Sequence, residues 1–176
     1  MDIPQIHPWT AGTLLTDSLC NEWSAVYDFL LNPPQAEVKR TSNQTITSAA
    51  YGTWTAVTFT VKVADTDGMW SASHATRLTV ATPGWYECMY QIPWAVTADA
   101  AYCGGGLVLN GSRTSANILG YHDYWLSSDY TQAVIRNSVD IFMTTDDYIE
   151  LLVWQNTGSN LDLDGDTVMR VTWSSC

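Results

Sequence analysis

Apolar and polar residues alternate along most of this chain with the period of two that is typical of half-buried β-strands. The clearest segment is ATPGWYECMYQI, residues 81–92. In its Thr-Pro-Gly turn, Pro83 fixes φ at the first corner and Gly84 accepts a positive φ at the second. Glu87 and Gln91 are predicted on one face of the strand that follows. The opposite, buried face is predicted to carry Tyr86, Cys88, Tyr90 and Ile92.

Comparable segments recur to residue 174, separated by turn signals. Strands are predicted at residues 36–41, 53–63, 77–81, 103–111, 115–126, 131–143, 148–156 and 167–174. Within the second of these, one face is predicted to carry Val57, Phe59, Val61 and Val63. Asn110-Gly111 is a typical hairpin-turn dipeptide, and residues 156–166 are predicted to form a loop. A run of about eight to ten short strands indicates an all-β sandwich or jelly roll.

The N-terminal part follows a different pattern and is predicted as a separate unit, residues 1–35, ahead of a β-domain at 36–176. Residues 1–15 predict an irregular arm with apolar contacts at Ile3, Ile6 and Trp9. Thr16 is predicted to cap one short helix, with Asp17 in the first turn. Asn32-Pro33-Pro34 is predicted to stop this helix after about Leu31.

Apolar residues of this helix follow the four-three-four spacing of a heptad seam, widened on one side by Tyr27 and Leu31. The seam consists of Leu19, Trp23, Val26 and Leu30. Two heptads are too short to be stable as an isolated coiled coil. Two arrangements therefore stay open: the helix packs on its own domain, or it associates with the same helix of other copies.

Charge and composition narrow the range of partners. The 176 residues include 18 acidic and seven basic ones, which gives a net charge of −11. A phosphate backbone would be repelled, so the chain is not expected to bind nucleic acid. No apolar run reaches membrane-spanning length, and MDIPQIHPWT does not resemble a secretory signal, so synthesis in a cytoplasm is expected. The acidity serves solubility or complements a basic docking surface, and the first is the simpler interpretation.

No constellation in the sequence indicates catalysis, a cofactor or a metal. Four cysteines are scattered without ligand spacing and are predicted to be free thiols. Asn160, Asp162, Asp164 and Gly165 imitate the start of a calcium loop. Val171 occupies the position where that loop requires a bidentate carboxylate, so an acidic surface loop is the simpler interpretation. His122-Asp123 is not accompanied by a nucleophile motif. The chain is therefore predicted not to be an enzyme.

Several segments, taken in order, resemble the TNF-like jelly roll, the superfamily that includes the globular heads of complement. They are WTAVTFTV, PGWYECMY, LVLNGS and DDYIELLVW, followed by a C-terminal strand. This resemblance covers residues 36–176. It departs from the family at Asp146, where glycine is common, and in its cysteines. The resemblance implies a homotrimer with three jelly rolls about a threefold axis.

The chain is also similar, over nearly its whole length, to small structural proteins of tailed phages that infect actinobacteria. The segments that carry this likeness are WTAGTLLTDSLCN, FLLNPP, DTDGMW and RLTV. The resemblance implies a virion location and partners among capsid or tail proteins. Docking is expected through Ile3, Ile6 and Trp9, and trimerisation through the helix seam together with Tyr27.

Two functions follow as hypotheses. In the first, the chain is a homotrimeric accessory protein of the virion, with capsid decoration or a head fibre favoured over a minor tail protein because the chain is short. In the second, it is a receptor- or glycan-binding tail adhesin that reads a host surface glycan. Its stacking residues would then be Tyr121, Tyr124 and Trp125.

Overall fold

The computed structural model describes residues 16–95, 101–127 and 132–175, together with Pro4 and Leu14. These residues form one α-helix, twelve strands and two short 3-10 turns at Ala72–His74 and Ser115–Asn117. The helix and strands are α1 (Asp17–Leu31), β1 (Gln35–Lys39), β2 (Gln44–Ile46), β3 (Thr55–Ala56), β4 (Val61–Asp65), β5 (Arg77–Thr79), β6 (Gly84–Ala95), β7 (Ala101–Leu109), β8 (Ile118–Leu126), β9 (Gln132–Met143), β10 (Tyr148–Gln155), β11 (Leu161–Leu163) and β12 (Val168–Ser175).

Helix α1 begins and ends where the sequence predicts. The Thr16 hydroxyl accepts a hydrogen bond from the Leu19 amide at 3.3 Å, which satisfies one of the free amides of the first turn. The Asn32 amide donates to the Asp28 carbonyl at 2.9 Å and closes the last turn. Pro33 and Pro34 follow, and neither has the amide proton that a further helical turn would use.

The strands form two antiparallel sheets that pack face to face, so the predicted all-β sandwich is confirmed. Sheet A has seven strands in the order β2-β11-β6-β12-β1-β4, with β9 on the other side of β6. Sheet B has five strands in the order β3-β10-β7-β8, with β5 also paired to β10. One continuous apolar core fills the space between the two sheets.

Strand β6 is central to the fold and confirms the predicted alternation. Tyr86, Cys88, Tyr90 and Ile92 are fully buried, whereas Glu87 is exposed. The Tyr90 hydroxyl donates to the Gly105 carbonyl of sheet B at 3.0 Å, which joins the two sheets. Gly84 has a φ of +152°, and a Cβ there would lie 2.6 Å from the Ser175 carbonyl oxygen. The strand can therefore start beside β12 only with a glycine at this position.

The prediction of one long strand at residues 53–63 is wrong. The chain forms β3 in sheet B, crosses the sandwich, and forms β4 in sheet A. Val57 and Phe59 are buried as predicted, but Val61 and Val63 are exposed by 39% and 54%. The alternation of buried and exposed residues does not continue into β4 because β4 is an edge strand. Its pairing with β1 is also interrupted by a bulge between Glu37 and Val38.

The predicted loop at 156–166 also proves to contain a strand. Its short strand β11 pairs with β2, and Leu161 and Leu163 are buried in the core. The Thr45 hydroxyl donates to Asp162 across this pair at 2.7 Å. Strands of three residues carry too few positions to reveal a period of two, so the alternating acidic residues Asp162, Asp164 and Asp166 dominate the sequence signal.

Arg40 organises the place where the chain crosses between the sheets. Its side chain is buried to 7% exposure, and its guanidinium donates to the carbonyls of Ser42, Asn43 and Thr58 and to the Gln44 side-chain oxygen. All these acceptors are uncharged, and burial lowers the pKa of Arg40 from its usual value. One side chain thus fastens the β1–β2 turn to the crossing segment.

Candidate functional site

The predicted seam of α1 is partly covered in the single chain. Phe29 is the buried residue of the helix, and its ring meets Trp173 of β12 edge-on at 4.9 Å. Leu30 is exposed by 63% and Tyr27 by 57%. Phe29 therefore packs the helix against Trp173 of sheet A. The remaining seam residues are half-buried, namely Leu19, Trp23 and Val26.

The outer surface of sheet A carries an apolar patch that the sequence analysis did not single out. We call its exposed apolar residues, Trp85, Met89, Val134 and Phe142, the assembly patch, with Trp85 and Phe142 paired at one end of the β6–β9 ladder and Val134 near the other. Trp85 of β6 stands opposite Phe142 of β9, and their rings meet edge-to-face at 5.7 Å. They are exposed by 44% and 47%. The sequence pattern that could have revealed this patch is the alternation on β6 and β9, which places every second side chain on the outer face of the sheet.

Charged residues lie within the same surface. Glu87 and Asp140 stand directly opposite each other on β6 and β9, an arrangement in which two carboxylates repel. Four residues further along, Arg136 donates to the Gln91 side chain at 2.7 Å. Arg170 of β12 stands beside Met89. The surface therefore offers apolar contacts, negative charge and positive charge to whatever packs against it.

A second aromatic surface covers the outer side of sheet B. Tyr51, Trp54, Tyr121 and Trp154 meet edge-to-face, with Tyr51 and Trp154 separated by 5.1 Å. Trp54 and Trp154 are buried, whereas Tyr51 is exposed by 57%. Within the part of the chain that the structure describes, three buried polar atoms here have no hydrogen-bond partner: Trp54 Nε1, Tyr121 Oη and Trp154 Nε1.

Tyr102 and Trp125 extend this surface toward one end of the sheet. They are cross-strand neighbours on β7 and β8, with ring centroids 4.6 Å apart. Of the predicted stacking residues, Tyr121 and Trp125 share the outer face of β8, while Tyr124 points to the other face because neighbours on a strand alternate. Sequence reasoning missed Tyr102 and Trp154, since only the β7–β8 and β7–β10 registers bring them here.

The other predicted positions show no convergence on a chemical site. Ile3, Ile6 and Trp9 lie outside the described residues. Cys20, Cys88 and Cys103 are free, and burial raises the pKa of both Cys88 and Cys103 to about 12. These two core thiols are therefore protonated and unreactive near neutral pH.

Neither the calcium-like segment nor the histidines form a cluster. Over residues 16–95, 101–127 and 132–175, no group of three histidine, cysteine, aspartate or glutamate side chains could hold a metal ion. Asp164 lines an open polar groove beside Lys39, which pairs with Asp166 at 2.6 Å. His122 and Asp123 are adjacent on β8 and point to opposite faces. Among the helices of the described residues, none is long and apolar enough to cross a membrane.

Comparison with known proteins identifies the fold. No family model matches the chain. No curated protein matches it either. Among solved structures, the globular domain of zebrafish complement 1qA is 16% identical with a TM-score of 0.54, covering 80% of this chain and 96% of that one. Crystal structures of murine APRIL at pH 8.0 and pH 5.0 are 14% and 13% identical with TM-scores of 0.57, each covering 80% of this chain and 98% of that one. The chain therefore has a TNF-like and complement-head-like jelly-roll fold.

Proposed function

We propose that this chain is a homotrimeric accessory structural protein of a tailed-phage particle, decorating the capsid or forming a head fibre. Its N-terminal segment docks on the particle and its jelly roll forms the projecting head. The observation that carries the proposal is the assembly patch, because the paired and half-exposed Trp85 and Phe142 on the outer surface of sheet A favour burial against another protein surface. The proposed binding partners are a second and a third copy of the same chain.

Three features support self-association. The TNF-like resemblance implies packing about a threefold axis, and a closed cyclic trimer satisfies every copy's patch without leaving open ends. The seam of α1 leaves Leu30 and Tyr27 exposed, which adds apolar area that a neighbouring copy could bury. The like-charged pair Glu87–Asp140 would gain opposite charges if Arg136 or Arg170 of a neighbouring copy lay against it.

The particle itself is proposed from the segments shared with small phage structural proteins, WTAGTLLTDSLCN and FLLNPP above all. A net charge of −11 suits docking on a basic surface of a capsid or tail protein. The residues proposed to dock are Ile3, Ile6 and Trp9. A protein with these properties acts mechanically, by bridging neighbouring subunits of the particle.

The first expected result is a solution mass of three times 19.5 kDa. Light scattering coupled to size-exclusion chromatography measures this mass directly. The trimer forms because each copy buries its assembly patch against a neighbour. A mass of 19.5 kDa at micromolar protein would contradict the assembly proposal, since it would leave the patch uncovered.

The second expected result concerns the N-terminal segment. Deleting residues 1–31 should leave a folded head that no longer joins the particle. Pro34 is retained because its carbonyl accepts the Trp173 amide at 2.8 Å, so the start of β1 keeps its attachment to β12. Quantitative mass spectrometry of particles assembled with the shortened chain measures incorporation. Circular dichroism verifies the fold, and normal incorporation would overturn the docking assignment.

A further inference from the structure

The outer side of sheet B presents a continuous surface with a composition unlike that of the assembly patch. We call it the aromatic face, and it consists of Tyr51, Trp54, Tyr102, Tyr121, Trp125 and Trp154, with Asp123 among them. It lies on the opposite side of the sandwich from the assembly patch, because the two surfaces belong to different sheets. It therefore stays open when copies associate through sheet A.

The exposed end of this face is held rigidly. The Tyr102 amide donates to the Asn156 side chain at 2.7 Å, and the Asn156 amide returns a bond to the Tyr102 carbonyl at 3.0 Å. Tyr102 is exposed by 41% and Trp125 by 49%, and they stand side by side on neighbouring strands. The backbone that carries Tyr102 is thus held in place, and its ring lies against Trp125 with the two ring planes inclined at 73°.

Polar groups lie in the next row of the same sheet. Asp123 and Trp154 flank Gly104, one on each neighbouring strand. A Cβ at Gly104 would lie 2.8 Å from Trp154 Nε1 and 3.2 Å from the Asp123 Cβ, so only a glycine leaves room for both side chains here. Burial raises the pKa of Tyr121, whose hydroxyl also lies in this row, and the Asp123 charge adds to that effect. The exposed Asp123 carboxylate therefore stands as an acceptor beside the two exposed rings, whereas the donor atoms of Trp154 and Tyr121 are buried.

We propose that the aromatic face binds a neutral saccharide, with Trp125 and Tyr102 packing against the apolar face of a sugar ring and Asp123 accepting hydrogen bonds from its hydroxyls. A sugar ring has one face of C–H groups and an edge of hydroxyls that both donate and accept. That combination matches half-exposed rings bordered by an exposed carboxylate that can accept from the hydroxyls.

Other ligand classes match the face less well. A polyanion would meet the Asp123 charge, and no basic residue belongs to the aromatic face. A purely apolar ligand would bury the Asp123 carboxylate without a partner, which is costly. The inference is independent of the proposed particle role, since it uses the other sheet.

The test uses the full chain and an array of neutral oligosaccharides built from glucose, galactose, mannose and N-acetylglucosamine. The strongest binder is then titrated in solution by calorimetry. Trp125→Ala and Tyr102→Ala are each expected to weaken binding by about tenfold or more, because each removes one wall of the platform. Trp125→Tyr, which keeps a ring, should stay within about threefold of the wild type, and Asp123→Asn should weaken binding through loss of a charged acceptor.

Tyr124→Ala is the matched control, because Tyr124 is a comparably exposed aromatic on the same strand but on its other face. It should bind within about twofold of the wild type, as expected for a residue outside the contact. The proposal is overturned if no neutral oligosaccharide binds the wild type, or if Trp125→Ala binds as tightly as Tyr124→Ala. The oligomer mass of every variant is measured alongside, so a loss of binding is separated from a loss of assembly.

Discussion

Replacing Arg40 by methionine is expected to lower the free energy of unfolding by about 3 kcal/mol or more, because several partly buried acceptors lose their donor at once. Methionine keeps the apolar stem, so the change isolates the guanidinium. The carbonyls of Ser42, Asn43 and Thr58 and the Gln44 side chain are the acceptors left without that donor. Urea unfolding followed by tryptophan fluorescence measures the loss at one fixed protomer concentration, since self-association would otherwise shift the transition.

Arg40→Lys separates charge from geometry. An ammonium is a point charge with three donors and cannot reproduce the planar fork that reaches acceptors on both the turn and the crossing segment. We therefore expect most of the loss to persist. Lys62→Met on edge strand β4 is the control, because it removes an exposed cation whose contact with Asp65 spans 3.8 Å. That change should cost below about 1 kcal/mol. An Arg40→Met variant as stable as Lys62→Met would show that the acceptors are satisfied by water.

The sequence predicts those parts of the fold that depend on local chemistry. Helix α1 is recovered to the residue because its start needs only the Thr16 side chain and its end needs only Asn32-Pro33-Pro34. Strand β6 is recovered because it lies inside the sheet, where one face is buried along much of its length and the alternation stays intact. In both cases the physical cause lies within a few residues of its effect.

The failures arise where tertiary position overrides the pattern. Residues 57–63 alternate without a break, but only Val57 and Phe59 lie between the sheets, while Val61 and Val63 follow the crossing onto an edge. No local signal marks that crossing. Its position is set by Arg40, whose guanidinium binds the Thr58 carbonyl 18 residues away.

The candidate surfaces likewise combine residues that the sequence could place locally with residues that only long-range strand pairing brings together. Tyr121 and Trp125 could be placed on one face of a strand from their spacing alone. Their partners Tyr102 and Trp154 come from two other strands, and the registers that align them are long-range pairings. Trp85 and Phe142 are likewise 57 residues apart in the sequence and become a pair only through the β6–β9 register. A single sequence carries no direct record of such registers.

Trp85→Asp is expected to convert the trimer into a monomer of 19.5 kDa at micromolar protein. The aspartate removes the ring that pairs with Phe142 and adds a charge to a surface where Glu87 and Asp140 already repel. In a cyclic assembly one substitution alters every interface, so its effect is multiplied across the ring. Loss of a central aromatic residue weakens an interface by about 2 kcal/mol or more, roughly thirtyfold, before the added charge is counted. Analytical ultracentrifugation over a concentration series measures the change.

Two further variants decide which surface holds the copies together. Trp125→Asp places the same charge on an equally exposed tryptophan of sheet B and should keep the mass of three times 19.5 kDa. Leu30→Asp places it on the seam of α1, and we expect weaker association without full dissociation, because two heptads contribute little alone. Dissociation by Leu30→Asp but not by Trp85→Asp would transfer the interface from the sheet to the helix. Dissociation by Trp125→Asp alone would move it to the aromatic face and contradict both proposals, since a face buried between copies cannot receive a saccharide.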